Sequence, residues 1–186
     1  MKKLSLYTIV LVIVSLSFNC SPSHELINLS KAKNAVIKYH ASGEYDNDLL
    51  MAVNEAEDKF AEITFTGSSA VVFDVDETAL SNYEINKQLD FGYVVSEWNK
   101  WIEEARAPAI EPVKNLYDFL LTKGSKIIFI TGRTSEQYEA TIKNLHSEGY
   151  TAFDTLITRS KDEKELTAVE YKSSKRTELT GKGYKI

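Results

Sequence analysis

A chain of 186 residues is long enough for one ordinary domain with a sizeable core. Its 43% hydrophobic and 26% charged content is that of a globular protein and excludes a disordered one. A net charge of −5 argues against a nucleic-acid binder held by backbone phosphates.

The chain opens on Lys2 and Lys3, followed by an apolar run over residues 4–18 that is softened by Ser5, Thr8, Ser15 and Ser17. The run is too short for a comfortable membrane span and has the layout of a secretory signal over residues 1–19. Cys20 is the only cysteine, so a disulfide within the chain is excluded. A lone cysteine just after an apolar signal core resembles the lipid-modified cysteine of bacterial lipoproteins, although Ser17 and Asn19 are not the commonest residues at their positions. Residues 20–25 are polar enough to serve as a tether. The expectation is an exported protein held to a bacterial cell envelope by a lipid on Cys20.

Residues 26–62 read as a helical lead-in. Leu49, Leu50, Val53, Ala56 and Phe60 recur at helical spacing, with Asn47 or Asp48 available as a cap. Gly67, Ser68 and Ser69 break that pattern. Ala70–Phe73 then reads as a buried strand, and it runs straight into Asp74-Val75-Asp76-Glu77-Thr78. The segment 81–95 has no clean period. A helix is expected from Ser96, with Trp98, Trp101, Ile102 and Ala105 on one face, ending at Ala107-Pro108-Ala109. Pro112 opens the next helix, whose apolar stripe is Val113, Leu116, Tyr117, Leu120 and Leu121 and whose C-terminal cap is Gly124. A second strand, 126–130, ends in Thr131-Gly132-Arg133-Thr134. Ser135 is expected to cap a helix through His146, closed by Gly149. A short strand over 155–157, a polar loop over 160–165 and a helix over 168–180 follow. Residues 183–186 read as the start of a fourth strand.

This alternation predicts an α/β fold with a Rossmann-like parallel sheet and crossover helices. In such sheets ligands bind beyond the carboxyl ends of the strands. Asp74, Asp76 and Thr131 all lie at those ends. Two carboxylates there can hold Mg²⁺, a hard cation that takes few protein oxygens and otherwise keeps water or phosphate. With the charge of a phosphate neutralised, Asp74 can attack phosphorus and form an aspartyl-phosphate. Asp76 can serve as acid to the leaving oxygen and then as base to water. Thr131 and the backbone amides after it, from Gly132 on, can hydrogen-bond phosphoryl oxygens, and a lysine should complete the clamp.

Phe73-Asp74-Val75-Asp76-Glu77-Thr78 with Ile130-Thr131-Gly132-Arg133 resembles the haloacid-dehalogenase superfamily of phosphotransferases. The longer stretch through Ala79-Leu80-Ser81-Asn82, the Trp98/Trp101 segment and Tyr171-Lys172-Ser173-Ser174-Lys175-Arg176 are similar to its class B-type acid phosphatases. That branch includes bacterial surface lipoprotein phosphatases and plant vegetative-storage phosphatases. The resemblance covers roughly residue 30 to the end. It implies Asp74 as nucleophile and metal ligand, and Asp76 as acid/base with its backbone carbonyl toward the metal. It implies Thr131 and Lys172 as phosphate ligands, Mg²⁺ as cofactor, a small phosphomonoester as substrate, and a small helical cap over about 81–110. Aromatic residues of that insert, Tyr83, Tyr93, Trp98 and Trp101, could stack on a leaving group, with core packing favoured for the two tryptophans. Arg133 could face substrate or form an exposed ion pair. His24, His40 and His146 show no ligand spacing.

The resemblance also calls for a fourth strand paired with the first, then a Gly-Asp with a further Asp. Nothing of that motif lies before Ile186, so the expectation is a last core strand that is missing or incomplete, an exposed edge on the first strand, and a partial metal shell. Against the leading reading of an exported Mg²⁺-dependent phosphatase stand two others. One is a catalytically impaired surface protein that keeps the fold for binding. The other is a phosphotransferase or mutase with the same chemistry and a different acceptor.

Overall fold

The structure is a computed structural model that describes residues 28–186. The signal expected over 1–19, Cys20 and the tether lie outside the described residues.

Strands β1 (Ala70–Phe73), β2 (Lys126–Thr134) and β3 (Thr155–Arg159) form a parallel sheet in the order β1-β2-β3. The apolar run of β2 follows from burial on both faces. Ile127 and Phe129 enter the larger core cluster with Phe73, Leu120 and Leu145, whereas Ile128 and Ile130 join Ala70, Tyr171 and Leu179 on the other side. The register pairs Phe73 with Phe129 and Ile130 with Ile157. The strands therefore present their carboxyl ends together. β2 and β3 run further than expected, because the chain continues extended past Ile130 and Ile157 through a register irregularity between Ile130 and Thr134.

The helical lead-in is two helices rather than one, α1 (Leu29–Ala41) and α2 (Glu44–Ala61). Gly43, at φ 80°, takes the left-handed conformation that separates them. Asn47 and Asp48 consequently lie inside α2, which starts at Glu44 and not at either of them. The periodic residues Leu49, Leu50, Val53, Ala56 and Phe60 all lie in α2, so their spacing could not reveal the break. The aperiodic segment after β1 holds a short helix, α3 (Tyr83–Gln88), before α4 (Val95–Glu104). Here the His40 ring of α1 lies between Tyr45 and Tyr83, with ring centroids 4.1 Å and 3.8 Å away. The insert leaves and rejoins the sheet at one place: the Ser81 N–H donates to the Pro108 carbonyl, and Leu80 and Ala109 form an antiparallel bridge.

Helix α5 (Glu111–Thr122) carries the expected stripe and ends before Gly124, at φ 76°. The cap after β2 is Thr134 rather than Ser135. Thr134 and Gln137 exchange capping hydrogen bonds around a 3₁₀ turn, Ser135–Gln137, that leads into α6 (Tyr138–Ser147). After β3, Ser160 and Glu163 cap another such turn, and Thr167 and Glu170 cap α7 (Ala168–Gly181), which covers the second sheet face. Beyond α7, Lys185 pairs in parallel with Ser69, its carbonyl accepting the Ala70 N–H at 2.8 Å. That is where a fourth strand beside β1 would begin. Among the described residues no helix is long and apolar enough to cross a membrane.

Leu120 is fully buried and Leu50, on α2, is 46% exposed. Leu120→Ala is expected to destabilise the protein by about 2–5 kcal/mol and Leu50→Ala by less than about 1 kcal/mol, read from denaturant midpoints.

Candidate active site

The site grows from the loop that follows β1. Val75, Ala79 and Leu80 are wholly buried and anchor it from below. Thr78 and Leu80 both donate N–H groups to the Val75 carbonyl, and Glu77 turns the chain at φ 55°. The alternation leaves Asp74 and Asp76 about one-third exposed at the carboxyl end of the sheet. Burial pushes the Glu77 carboxyl above the usual carboxylate range; it accepts the Asn82 N–H at 3.0 Å.

Asp74 meets Lys172 of α7. The Lys172 Nζ donates to its Oδ2 at 2.5 Å, while Oδ1 accepts the Val75 N–H at 2.8 Å. A lysine from the far end of the chain is thus brought to the first carboxylate. Lys172 is set by the start of α7 and by the turn before it, where Lys175 pairs with Glu163 at 2.5 Å. That pairing holds the Glu163 carboxyl well below its usual value, at about 2. Thr131 is fully buried at the start of the irregular stretch of β2, its Oγ1 accepting the Arg133 N–H at 3.2 Å; Gly132 is exposed beside it.

Arg133 departs from the exposed ion pair considered for it. Its side chain is 2% exposed and lies on Asp76. Nε reaches Oδ1 and Oδ2 at 3.1 and 3.2 Å, Nη2 reaches Oδ1 at 2.8 Å, and Nη1 donates to Thr141 Oγ1 at 3.2 Å. A guanidinium so deep is stable only where its charge and donors are matched, and the carboxylate does both. Asn82, also fully buried, adds an Nδ2 donor to Asp76 Oδ1 at 2.9 Å and accepts the Trp101 Nε1–H at 2.8 Å. The sequence reading gave no role to Asn82 or Thr141.

A cavity of about 660 Å³ opens beside Asp76, Gly132 and Arg133, between α4 and the start of α6. Tyr93, Trp98 and Ile102 supply its apolar wall. Trp101 is core, as its spacing predicted. Trp98 is only partly so: it lines the cavity, and its Nε1 is buried without a partner among the described residues. Tyr83 instead stacks on His40.

Hard oxygens suited to Mg²⁺ are present in part. Asp74 offers a carboxylate, and the Asp76 carbonyl accepts no hydrogen bond from the described residues. Among those residues no group of three or more His, Cys, Asp or Glu side chains gathers as a metal site. One or two protein oxygens completed by water and phosphate is a normal Mg²⁺ environment, so the residues fit the ion as part of its shell.

Two aspartates and a threonine lie at the carboxyl edge of a parallel sheet, and a lysine of α7 reaches the first aspartate. The model of the HAD superfamily, subfamily IIIB (Acid phosphatase), matches residues 8–186, and the chain belongs to that family. It is 34% identical to acid phosphatase 1 of Solanum lycopersicum over 131 residues, covering 69% of this chain and 51% of that protein. It is 36% identical to the stem 28 kDa glycoprotein of Glycine max over 121 residues, 62% of this chain and 47% of that one. The chain therefore spans about half the length of the curated relatives it matches. A class C acid phosphatase from Bacillus anthracis, solved with tungstate bound, superposes with a TM-score of 0.68 at 26% identity, over 85% of this chain and 67% of that one.

Because Glu163 is held below its usual value of 4.5, its pairing with Lys175 stabilises the fold above that pH and loses its effect as pH falls toward about 2. Lys175→Met is expected to lower the melting temperature at pH 7, with the difference from the parent shrinking between pH 4.5 and 2. A difference constant across that range would refute the assignment.

Proposed function

We propose that the protein hydrolyses small phosphomonoesters through an aspartyl-phosphate on Asp74. The observation that carries this reading is the Lys172 ammonium on the Asp74 carboxylate at the carboxyl end of the sheet, beside Thr131. Membership of an acid phosphatase family and the tungstate named for the Bacillus anthracis protein, a tetrahedral oxyanion like phosphate, support it.

In the first step an Asp74 carboxylate oxygen attacks phosphorus, the ester P–O bond breaks, and Asp76 delivers a proton to the departing oxygen. Lys172, Thr131 and the Gly132 amide hold the non-bridging oxygens. In the second step Asp76 takes a proton from water as its oxygen attacks phosphorus, releasing phosphate and regenerating Asp74. When Mg²⁺ is bound, by the Asp74 carboxylate and the Asp76 carbonyl, it supplies the positive charge that lets a carboxylate approach a phosphate dianion. The cavity walled by Tyr93, Trp98 and Ile102 is large enough for an aryl or nucleoside leaving group, and nucleoside monophosphates are the leading candidates. Export and a lipid on Cys20 belong to the same reading, supported by the apolar run over residues 4–18 and the lone cysteine after it.

Asp74→Asn is expected to reduce hydrolysis of p-nitrophenyl phosphate by at least about 100-fold while leaving the melting temperature within a few degrees. Beryllofluoride, which mimics a phosphoryl group on aspartate, should bind the parent protein and not this variant. Retained turnover in Asp74→Asn would eliminate the covalent route. A folded parent that binds beryllofluoride without turnover would identify a binding protein. In a bacterial host fed labelled palmitate, the parent should acquire label and Cys20→Ser should not.

A further inference from the structure

We propose that Trp101 is a positioning residue for the acid, acting through Asn82 on Asp76; this rests on the phosphatase reading above. Asp76 has two carboxylate oxygens, and the proton must leave from one that is free to reach the substrate. Oδ1 takes the Asn82 Nδ2 at 2.9 Å together with Arg133 Nη2 at 2.8 Å and Nε at 3.1 Å. Among the described residues Oδ2 has only the shared Nε contact at 3.2 Å. The geometry assigns Oδ2 as the oxygen that carries the transferred proton.

This division depends on which way the Asn82 amide faces. An amide has a donor end and an acceptor end of nearly equal size. Turned over, it would set its oxygen against the Asp76 carboxylate. The indole Nε1–H can only donate, so the group it contacts must be the amide oxygen. At 2.8 Å from Asn82 Oδ1, Trp101 therefore selects the orientation in which the NH₂ group meets Asp76. Both intermediaries are sealed from water, with Trp101 2% and Asn82 0% exposed, so no solvent molecule can substitute for the indole. Trp101 also belongs to α4, whose Trp98, Asn99 and Ile102 line the cavity proposed for the leaving group. The helix that meets the leaving group thus also orients the residue that protonates it.

A proton from Asp76 is needed most when the leaving oxygen is a poor one. An alkoxide departs only as the alcohol, taking the Asp76 proton as its P–O bond breaks, whereas p-nitrophenolate can depart as the anion. Trp101→Phe keeps the ring and removes the donor. It should lower kcat/KM for glycerol 2-phosphate about ten-fold and that for p-nitrophenyl phosphate less than about three-fold. Asn82→Ala removes the donor to Asp76 without adding a charge, and it should show the same preference; it carries the test if Trp101→Phe fails to fold. The combined variant should be no worse than the weaker single variant by more than about two-fold, because both break one chain of contacts. An unchanged ratio of the two kcat/KM values, in either folded variant, would overturn the positioning role while leaving the phosphatase reading intact. Turnover that survives Asp74→Asn, or is absent from the parent, would overturn the phosphatase reading and the positioning role with it.

Discussion

A guanidinium with 2% exposure has to be answered by a negative charge, and the fold is arranged so that Asp76 answers it. Arg133 lies in the irregular stretch of β2 between the paired residues Ile130 and Thr134, and Asp76 lies three residues past the end of β1. Parallel pairing with Phe73 opposite Phe129 is what brings the two together. Slipping that register by one residue would turn Ile127 and Phe129 toward the face of α7 and separate the ion pair at the same time. The hydrophobic pattern of two strands and the position of a single charge thus enforce one another. Removing Asp76 would leave the Arg133 guanidinium buried and unmatched, which is far worse than never having buried it.

The second carboxylate is held quite differently. Asp74 is about one-third exposed and meets a flexible lysine of similar exposure. A phosphoryl group entering there can share Lys172 without exposing an apolar surface or orphaning a buried donor. One aspartate is fixed by a rigid fork and the other by a movable point charge, the difference that the roles proposed for them, an aimed acid and a released nucleophile, require.

Much of this was legible in the chain. Ala70–Phe73 is unmistakable as a strand, because three bulky residues in a row leave no polar face. The carboxyl ends of the strands marked Asp74, Asp76 and Thr131, and the family resemblance added Lys172. What stayed hidden was of two kinds. The break at Gly43 between α1 and α2 leaves no trace in a period whose residues all lie in α2. Long-range polar contacts leave no local trace either: Asn82 reads as a turn residue until Trp101, nineteen positions on, is folded over it. Arg133 was misjudged for a related reason, since a charged residue is taken to be exposed unless its partner, fifty-seven positions away, is known.

The narrow base of the insert has a consequence for how the family can diversify. Residues 80–81 and 108–109 meet side by side, so the intervening segment is a loop closed at its neck. Lengthening such a loop adds only a slowly growing entropic term, and the sheet beneath is untouched. On the proposed function, leaving-group preference can therefore drift by insertion, deletion or exchange within this segment while the aspartates, Thr131 and Lys172 stay in place. The freedom has one restriction, that whatever replaces α4 must still offer a buried donor to the oxygen of Asn82.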